Sequence, residues 1–447
     1  MTFPTARFSL VSFDGSITQD TDIQKPDKYR FFDEKSCGTM IARGAGLSYA
    51  AASFNSRGKT IDYSLFNRLL SYRDGILEVE AGISLGQIYQ YLHRHNRYLS
   101  VQPGHPDITI GGCVASDVHG KNQFRDGTFV SLVEGLTLFH PKLGMLELSR
   151  SERPEIFDLT CGGFGLTGII LRVKLRTSPI PSPAVEITTI PVPDIERLET
   201  MLMDVAGHYD LVYSWHDFTA VGRKFGRGFI IAAKFSAAKQ SALPPDRAKQ
   251  KDWKRTLVAE RRGNWKFSFF SLQRTAWFNR LYYYFNVTQS SPRYAGLYDF
   301  LFPVHNKEAY FKLFGKKGFH ECQFIIPNGK FGVWTERVRD YLTRNPMPIT
   351  LASGKLFTGN SRLLRFTGSG VCMAVDFPRL KQSPEFVAFL HALAIEIGAL
   401  PNIIKDSDLS APVVSATYGE YERFKAELRR FDPELIFRSE LSERLGL

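Results

Sequence analysis

The chain has 447 residues, of which 43% are hydrophobic and 23% charged, the balance of an ordinary globular protein rather than a disordered or fibrous one. A single core stops growing near about 250–300 residues, so two domains are expected. Lys and Arg number 57 against 45 acidic residues, and the net charge of +12 favours anionic partners without choosing among a nucleotide cofactor, a phosphorylated substrate, nucleic acid or an anionic membrane surface.

The N-terminal thirty residues carry Asp14, Asp20, Asp22, Lys25, Asp27 and Lys28 and have no apolar core of a signal peptide. No run of about 20 apolar residues occurs to span a bilayer, so a cytoplasmic protein is expected. Thr39–Ala42, Lys59–Asp62 and Leu77–Ala81 read as short strands. Ser84 to Arg94 carries apolar residues at Leu85, Ile88, Tyr89 and Leu92, the spacing of a helix capped by Ser84. Leu132–Phe139 and Thr167–Leu175 are further strands, and the alternation argues for an α/β or α+β domain ending near Arg176. The proline-rich stretch Ser178–Pro183 has no helix option and is the best domain boundary. Beyond it, residues 209–325 are dense in aromatic and basic side chains, and residues 243–266 read as a basic insertion. Glu385–Ile397 and Tyr418–Phe431 read as amphipathic helices.

Cys37, Cys113, Cys161, Cys322 and Cys372 are scattered and form no CxxC pair, so neither a disulfide framework nor a metal site is expected. The strongest motif is Arg43-Gly44-Ala45-Gly46-Leu47-Ser48-Tyr49, directly after a predicted strand. Glycines there let successive backbone N–H groups turn toward a diphosphate; on its own the motif could equally be a tight surface turn. Two more glycine clusters follow: Gln102 to Asn122, containing Gly104, Thr109-Ile110-Gly111-Gly112 and Asp117-Val118-His119-Gly120-Lys121-Asn122, and then Gly162 to Ile170. Three such loops within one α/β domain suit a long dinucleotide. They are not a Rossmann unit, because no GxGxxG opens a helix with an acidic residue about 20 positions on, and no Walker loop is present.

These motifs, in this order and spacing, resemble the FAD-binding oxidoreductases of the vanillyl-alcohol oxidase type, the PCMH-type FAD fold. The resemblance is close over the first 176 residues and, through Ile404-Lys405-Asp406-Ser407 and Phe431-Asp432-Pro433, over the last fifty; it is weak between about 181 and 350. It implies an α+β protein of two domains. Residues 1–180 would build the FAD domain, residues 181–399 a substrate cap on an antiparallel sheet, and residues 400–447 would return to the FAD domain. By the same resemblance FAD, held non-covalently, would lie against Ala42, Arg43, Gly44, Ala45, Gly46, Leu47, Ser48, Tyr49, Gly104, Thr109, Ile110, Gly111, Gly112, Ser116, His119, Gly120, Asn122, Ile169, Ile170 and Asn402. Lys405, His119 and Lys121 would serve catalysis, Lys405 either stabilising negative charge beside the flavin or acting as a base. Trp215, Gln323, Lys355 and Ala374 would line the substrate pocket.

The implied substrate is the 2′-hydroxyl of a prenylphosphoryl pentose, oxidised to the keto form as the first half of an epimerisation that an NAD(P)H-dependent reductase would complete. The departures bear on the sugar and its lipid carrier rather than on FAD. Ala374 stands where the matching branch has cysteine, Asn402 where it has tyrosine, and Ala50-Ala51 where it has glycine and aspartate. A polyol or aldonolactone oxidase without a lipid carrier is the alternative. A basic membrane- or nucleic-acid-binding protein without catalysis is the other class, which has no need of three glycine loops. The basic residues from Arg247 to Lys266, with the aromatic residues that follow to Phe285, suggest an anionic membrane surface as a partner; no recognised nucleic-acid module is present, so no nucleic acid is expected.

Overall fold

The structure, a computed structural model, describes residues 4–33, 38–236, 265–289, 292–304 and 308–447. The expected basic insertion therefore lies outside the described residues except for Trp265 and Lys266.

The chain opens with an antiparallel pair, β1 (Thr5–Val11) and β2 (Thr18–Gln24), that sequence reasoning did not anticipate. The strands β3 (Met40–Arg43) and β4 (Lys59–Asp62) add to it in parallel, giving the order β1-β2-β4-β3. The far end of the chain closes on this sheet. Met40 donates its N–H to the Ile436 carbonyl at 2.8 Å, and the Arg438 N–H donates back to the Met40 carbonyl at 3.0 Å.

Next come β5 (Leu69–Arg73), β6 (Ile76–Glu80), the short β7 (Arg97–Tyr98), β8 (Val133–His140), β9 (Gly144–Ser149) and β10 (Ile169–Arg176). All but β7 form an antiparallel sheet of order β5-β6-β10-β8-β9. The helix Leu85–His93 begins at Ser84, whose side chain and that of Gln87 form a reciprocal capping box, and it buries the anticipated Leu85, Ile88, Tyr89 and Leu92. The proline-rich stretch is not a bare linker. Ser178–Pro179 forms β11, which pairs with β7 and ties the stretch back to the first half of the chain.

From Ala184 a separate eight-stranded antiparallel sheet begins. Its strands are β12 (Ala184–Val192), β13 (Leu211–His216), β14 (Gly228–Ser236), β15 (Arg293–Gly296), β16 (Phe319–Pro327), β17 (Leu351–Phe357), β18 (Gly370–Pro378) and β19 (Leu400–Pro401), in the order β15-β12-β14-β13-β17-β18-β16-β19. Side chains alternate across a strand, so one set of positions faces one side only. Cys322, Phe324 and Ile326 on β16 and Val371, Met373 and Val375 on β18 enter a core with the helices Leu198–Ala206, Phe331–Arg344 and Ser383–Ile397. The alternate positions, Glu321 and Gln323 on β16 and Ala374 and Asp376 on β18, line a cavity on the other side. β19 is an edge strand on β16, and from it the chain crosses from the large sheet back to the first one through residues 402–409.

Candidate active site

Between the glycine loops and the free face of the large sheet lies a cavity of about 1090 Å³. Small-molecule pockets usually run ~300–1,000 Å³, so this one has room for a large ligand and a smaller one together.

One wall is backbone. Strand β3 delivers the chain into Arg43–Tyr49, all of which line the cavity together with Ala42. Gly44 lies so close to the second loop that a Cβ there would be 2.2 Å from Thr109 Oγ1. Gly46 has φ +68°, and a Cβ there would be 2.2 Å from the Arg43 guanidinium. Ala51, one of the departures noted in the sequence, holds the left-handed conformation at φ +57°. Among the described residues, no intramolecular acceptor takes the backbone N–H groups of Ala45, Gly46, Leu47 or Ser48. Four consecutive free donors on a cavity wall are the chemistry that holds a diphosphate. Gly104, Thr109, Gly111, Gly112, Ser116, His119, Gly120, Ile169 and Ile170 continue this wall. Two of the predicted contacts do not reach it. Ile110 is fully buried in the hydrophobic core, because the helix Ile110–Ser116 turns it inward. Asn122 spends its amide on the Ser100 carbonyl, at 2.9 Å, and on Asp126.

The opposite wall is made of side chains. Trp215 comes from β13, Gln323 from β16, Lys355 from β17, Ala374 from β18, and Asn402 and Lys405 from the crossing after β19. Asn402 donates its side-chain amide to Gln323 Oε1 at 2.6 Å and its backbone N–H to the Gln323 carbonyl at 2.8 Å. Lys405 Nζ lies 3.3 Å from Glu321 Oε1 and 3.8 Å from the centroid of the Tyr49 ring. Burial pushes the Lys355 ammonium below its usual range, and the neighbouring Lys405 adds to this. Burial likewise holds His119 well below the usual histidine range, with the charges of Lys355 and Lys405 acting the same way, so its imidazole is neutral. Its ring packs on Phe357 and Phe366. Lys121 lines the cavity, but its ammonium donates to the Leu301 carbonyl at 2.8 Å and is 7% exposed.

Among the lining residues that escaped the sequence reading are Glu321, Asp376 and Tyr310. Asp376 Oδ2 accepts from the Tyr310 hydroxyl at 3.3 Å, and the same hydroxyl is 2.8 Å from Thr350 Oγ1. Burial, and after it the charge of Glu321, raises the Asp376 carboxyl well above the usual range. The strand alternation was the available signal, since Glu321 stands two before Gln323 and Asp376 two after Ala374.

The crossing that carries Lys405 is braced from behind. Asp406 Oδ2 is 2.7 Å from His391 Nε2. Burial alone would lower His391, but the Asp406 charge and hydrogen bond outweigh it and raise its pKa. Cys322 lies within 4.8 Å of both. Tetrahedral ligands at ~2.0–2.1 Å from one ion stand about 3.3 Å apart, so the shorter His391–Asp406 contact is a hydrogen bond. A second cluster holds the next two residues. Arg379 Nη2 donates to Asp14 Oδ2 at 2.9 Å, to Ser407 Oγ at 2.6 Å and to Asp408 Oδ2 at 3.1 Å, and Asp408 Oδ2 is 2.8 Å from His320 Nδ1.

Residues 32–148, which hold the first two glycine loops, match the family model described as FAD binding domain. The chain is an FAD-dependent oxidoreductase with an FAD-binding domain of the PCMH type. One similarity runs nearly end to end. The chain is 29% identical over 427 residues to decaprenylphosphoryl-beta-D-ribose oxidase of Mycolicibacterium smegmatis, covering 91% of this chain and 89% of that one. Others are confined to a part: L-gulonolactone oxidase of Bos taurus is 34% identical over 101 residues, 23% of each chain, and cytokinin dehydrogenase 2 of Arabidopsis thaliana is 28% identical over 186 residues, 39% of this chain and 36% of that one. The cofactor is FAD, and the orphan amides of Ala45–Ser48 fit its diphosphate.

Proposed function

We propose that this enzyme oxidises a secondary alcohol of a sugar, the 2′-hydroxyl of a prenylphosphoryl pentose, to the ketone. The observation that carries the reading is one cavity with two unlike walls: a row of free backbone donors facing polar side chains on a rigid antiparallel sheet. When bound, FAD supplies a two-electron acceptor. The loops from Ala42 to Tyr49, from Gly104 to Gly120 and at Ile169–Ile170 would hold it. Lys405 places a positive charge where negative charge develops in the reaction, an arrangement that lowers the barrier most in a dry site. The Gln323–Asn402 pair, Lys355, Trp215 and neutral His119 would grip the sugar and its phosphate. Lys121, already hydrogen-bonded, serves as a wall rather than a reacting group.

Decaprenylphosphoryl-beta-D-ribose, in the name of the end-to-end relative, supports a lipid-linked pentose. The same class of substrate calls for a membrane surface. The helix Leu272–Val287 exposes Trp277, Phe278, Leu281, Tyr282, Tyr284 and Phe285, and Trp265 and Phe267 are exposed just before it. Aromatic rings favour the headgroup region, and the basic run Arg247–Lys266 adjoins them in sequence. No helix among the described residues is long and apolar enough to cross a membrane. A ketone product then needs a separate NAD(P)H-dependent reductase to complete the epimerisation. The alternative substrate, a free polyol or aldonolactone, is favoured by the altered wall at Ala374 and Asn402. Product trapping separates the two. Incubation with a prenylphosphoryl pentose followed by borodeuteride should place deuterium at C2 in both epimers; deuterium-free pentose, with a free polyol consumed instead, would establish the alternative.

A further inference from the structure

Glu321 and Asp376 are directly opposed residues on adjacent antiparallel strands, β16 and β18, and both face the cavity. Opposed side chains on such a pair start from Cβ atoms about 4.5–5.5 Å apart, and like charges there repel. Glu321 is 8% exposed and Asp376 2% exposed, so water does little to relieve that repulsion. Among the described residues the cation in ion-pair contact with the pair is Lys405, 3.3 Å from Glu321, and the charge of the buried Lys355 also reaches Glu321. Asp376 Oδ1 is buried with no hydrogen-bond partner, beside a cavity built for a ligand. A bare carboxylate oxygen there would be costly, whereas a protonated carboxyl has a donor to offer.

We infer that Glu321 and Asp376 share a single proton and that Glu321 is the base that takes the hydroxyl proton of the substrate, with Lys405 as its counter-ion rather than the base. This rests on the reading of the site as an alcohol oxidase. One proton on the pair makes the trio with Lys405 electrically neutral. In the step, the substrate O–H bond breaks and its proton goes to a Glu321 oxygen. The carbinol C–H bond breaks and its hydrogen leaves with both electrons to the oxidised flavin; the C=O double bond forms from the oxygen's electrons. The pair then holds two protons and returns one to solvent before the next turnover. Protonation of Glu321 also strips Lys405 of its partner at the moment negative charge develops elsewhere in the cavity, which frees the ammonium to stabilise it. Among the described residues, the titratable groups whose charges reach the pair are Tyr49 from the first glycine loop, Tyr310, Lys355 on β17, Cys372 on β18 and Lys405. The raised Asp376 carboxyl accords with a proton resident on its side of the pair at neutral pH.

Two readouts test this on the holoenzyme. Infrared spectroscopy in heavy water should show a protonated carboxylic-acid C=O band at neutral pH that disappears in Asp376→Asn. Single-turnover flavin reduction should be slowed about 10²-fold or more in Glu321→Gln, with FAD content unchanged and the acid limb of the pH–rate profile abolished. In Asp376→Asn, which removes the opposing carboxyl, that limb should move to lower pH. Absence of the band in wild type, or Glu321→Gln with a normal rate and an intact acid limb, would overturn the inference. Failure of every sugar to reduce the wild-type flavin would instead count against the substrate reading, and the infrared band would still decide whether the proton is shared.

Discussion

Lys405 is placed by two contacts of different kinds, the carboxylate of Glu321 at 3.3 Å and the π-face of Tyr49 at 3.8 Å. Both tie a cationic side chain to the seam between the glycine loops and the large sheet. Lys405→Ala should keep its FAD and lose about 10²-fold or more in the rate of flavin reduction, since one positioned charge is typically worth that much. Stopped-flow reduction alongside the flavin absorbance of the purified variant checks both halves. A second expectation concerns attachment. Covalent linkage needs a nucleophile at the flavin ring, and the variable positions of the first loop are Ala45 and Leu47. His105 and His119 line the cavity, but His119 packs between Phe357 and Phe366, and His105 Nδ1 accepts the Asp107 N–H at 3.2 Å. Acid precipitation should leave the flavin in the supernatant; a yellow pellet would show a covalent bond. At this scale the motif residues were legible because glycine and lysine stand in recognisable patterns. Glu321 and Asp376 were not singled out, because a lone acidic residue in an apolar strand gains meaning only through its alternation with Gln323 and Ala374 on the same face.

The crossing at residues 402–408 is the element on which the site depends, and it has little regular structure of its own. Its position comes from the His391–Asp406 bond and the Arg379 cluster. The folded pKa of His391 is raised, so its protonation stabilises the fold fully below the unfolded value, about pH 6.5, and that contribution is lost as pH rises through the folded value. His391→Leu should therefore lower the Tm more at mildly acidic than at mildly alkaline pH, and a Tm deficit independent of pH would contradict the assignment. The first glycine loop offers a sharper test. Gly44→Ala puts a methyl 2.2 Å from Thr109 Oγ1, so two of the glycine loops that line the cavity must part. The variant should purify largely free of flavin while keeping a cooperative thermal transition. The strands β3, β4, β6, β8 and β10 were predicted to within a residue or two, because each is a short segment of β-branched or apolar residues, continuous or alternating, beside a turn. β1 and β2 were not. Their sequences, TARFSLV and TQDTDIQ, are exposed or polar along most of their length, and pairing rather than hydrophobic pattern makes them strands.

Across the whole molecule, the chain builds two sheet systems and then threads back, so its last residues lie beside β3 and the cavity forms where the systems face each other. The change of composition after Pro183 foreshadowed the second sheet, but its order could not be read, because β16 and β18 pair across more than forty residues of intervening chain. The exposed aromatic face of Leu272–Val287 leads to a further expectation: the protein should co-sediment with liposomes containing anionic lipid at low salt and less at high salt. Trp277→Ser with Phe285→Ser should weaken the binding, and no binding at low salt would end the membrane proposal. The most direct measurement of the central claim is anaerobic mixing of the holoenzyme with a panel of candidate alcohols while the visible flavin band is followed. A prenylphosphoryl pentose should bleach the band in a single turnover, with free pentoses much slower. Bleaching by a free polyol or aldonolactone but not by the lipid-linked pentose would contradict the proposed substrate, and a band untouched by any sugar would contradict sugar oxidation altogether.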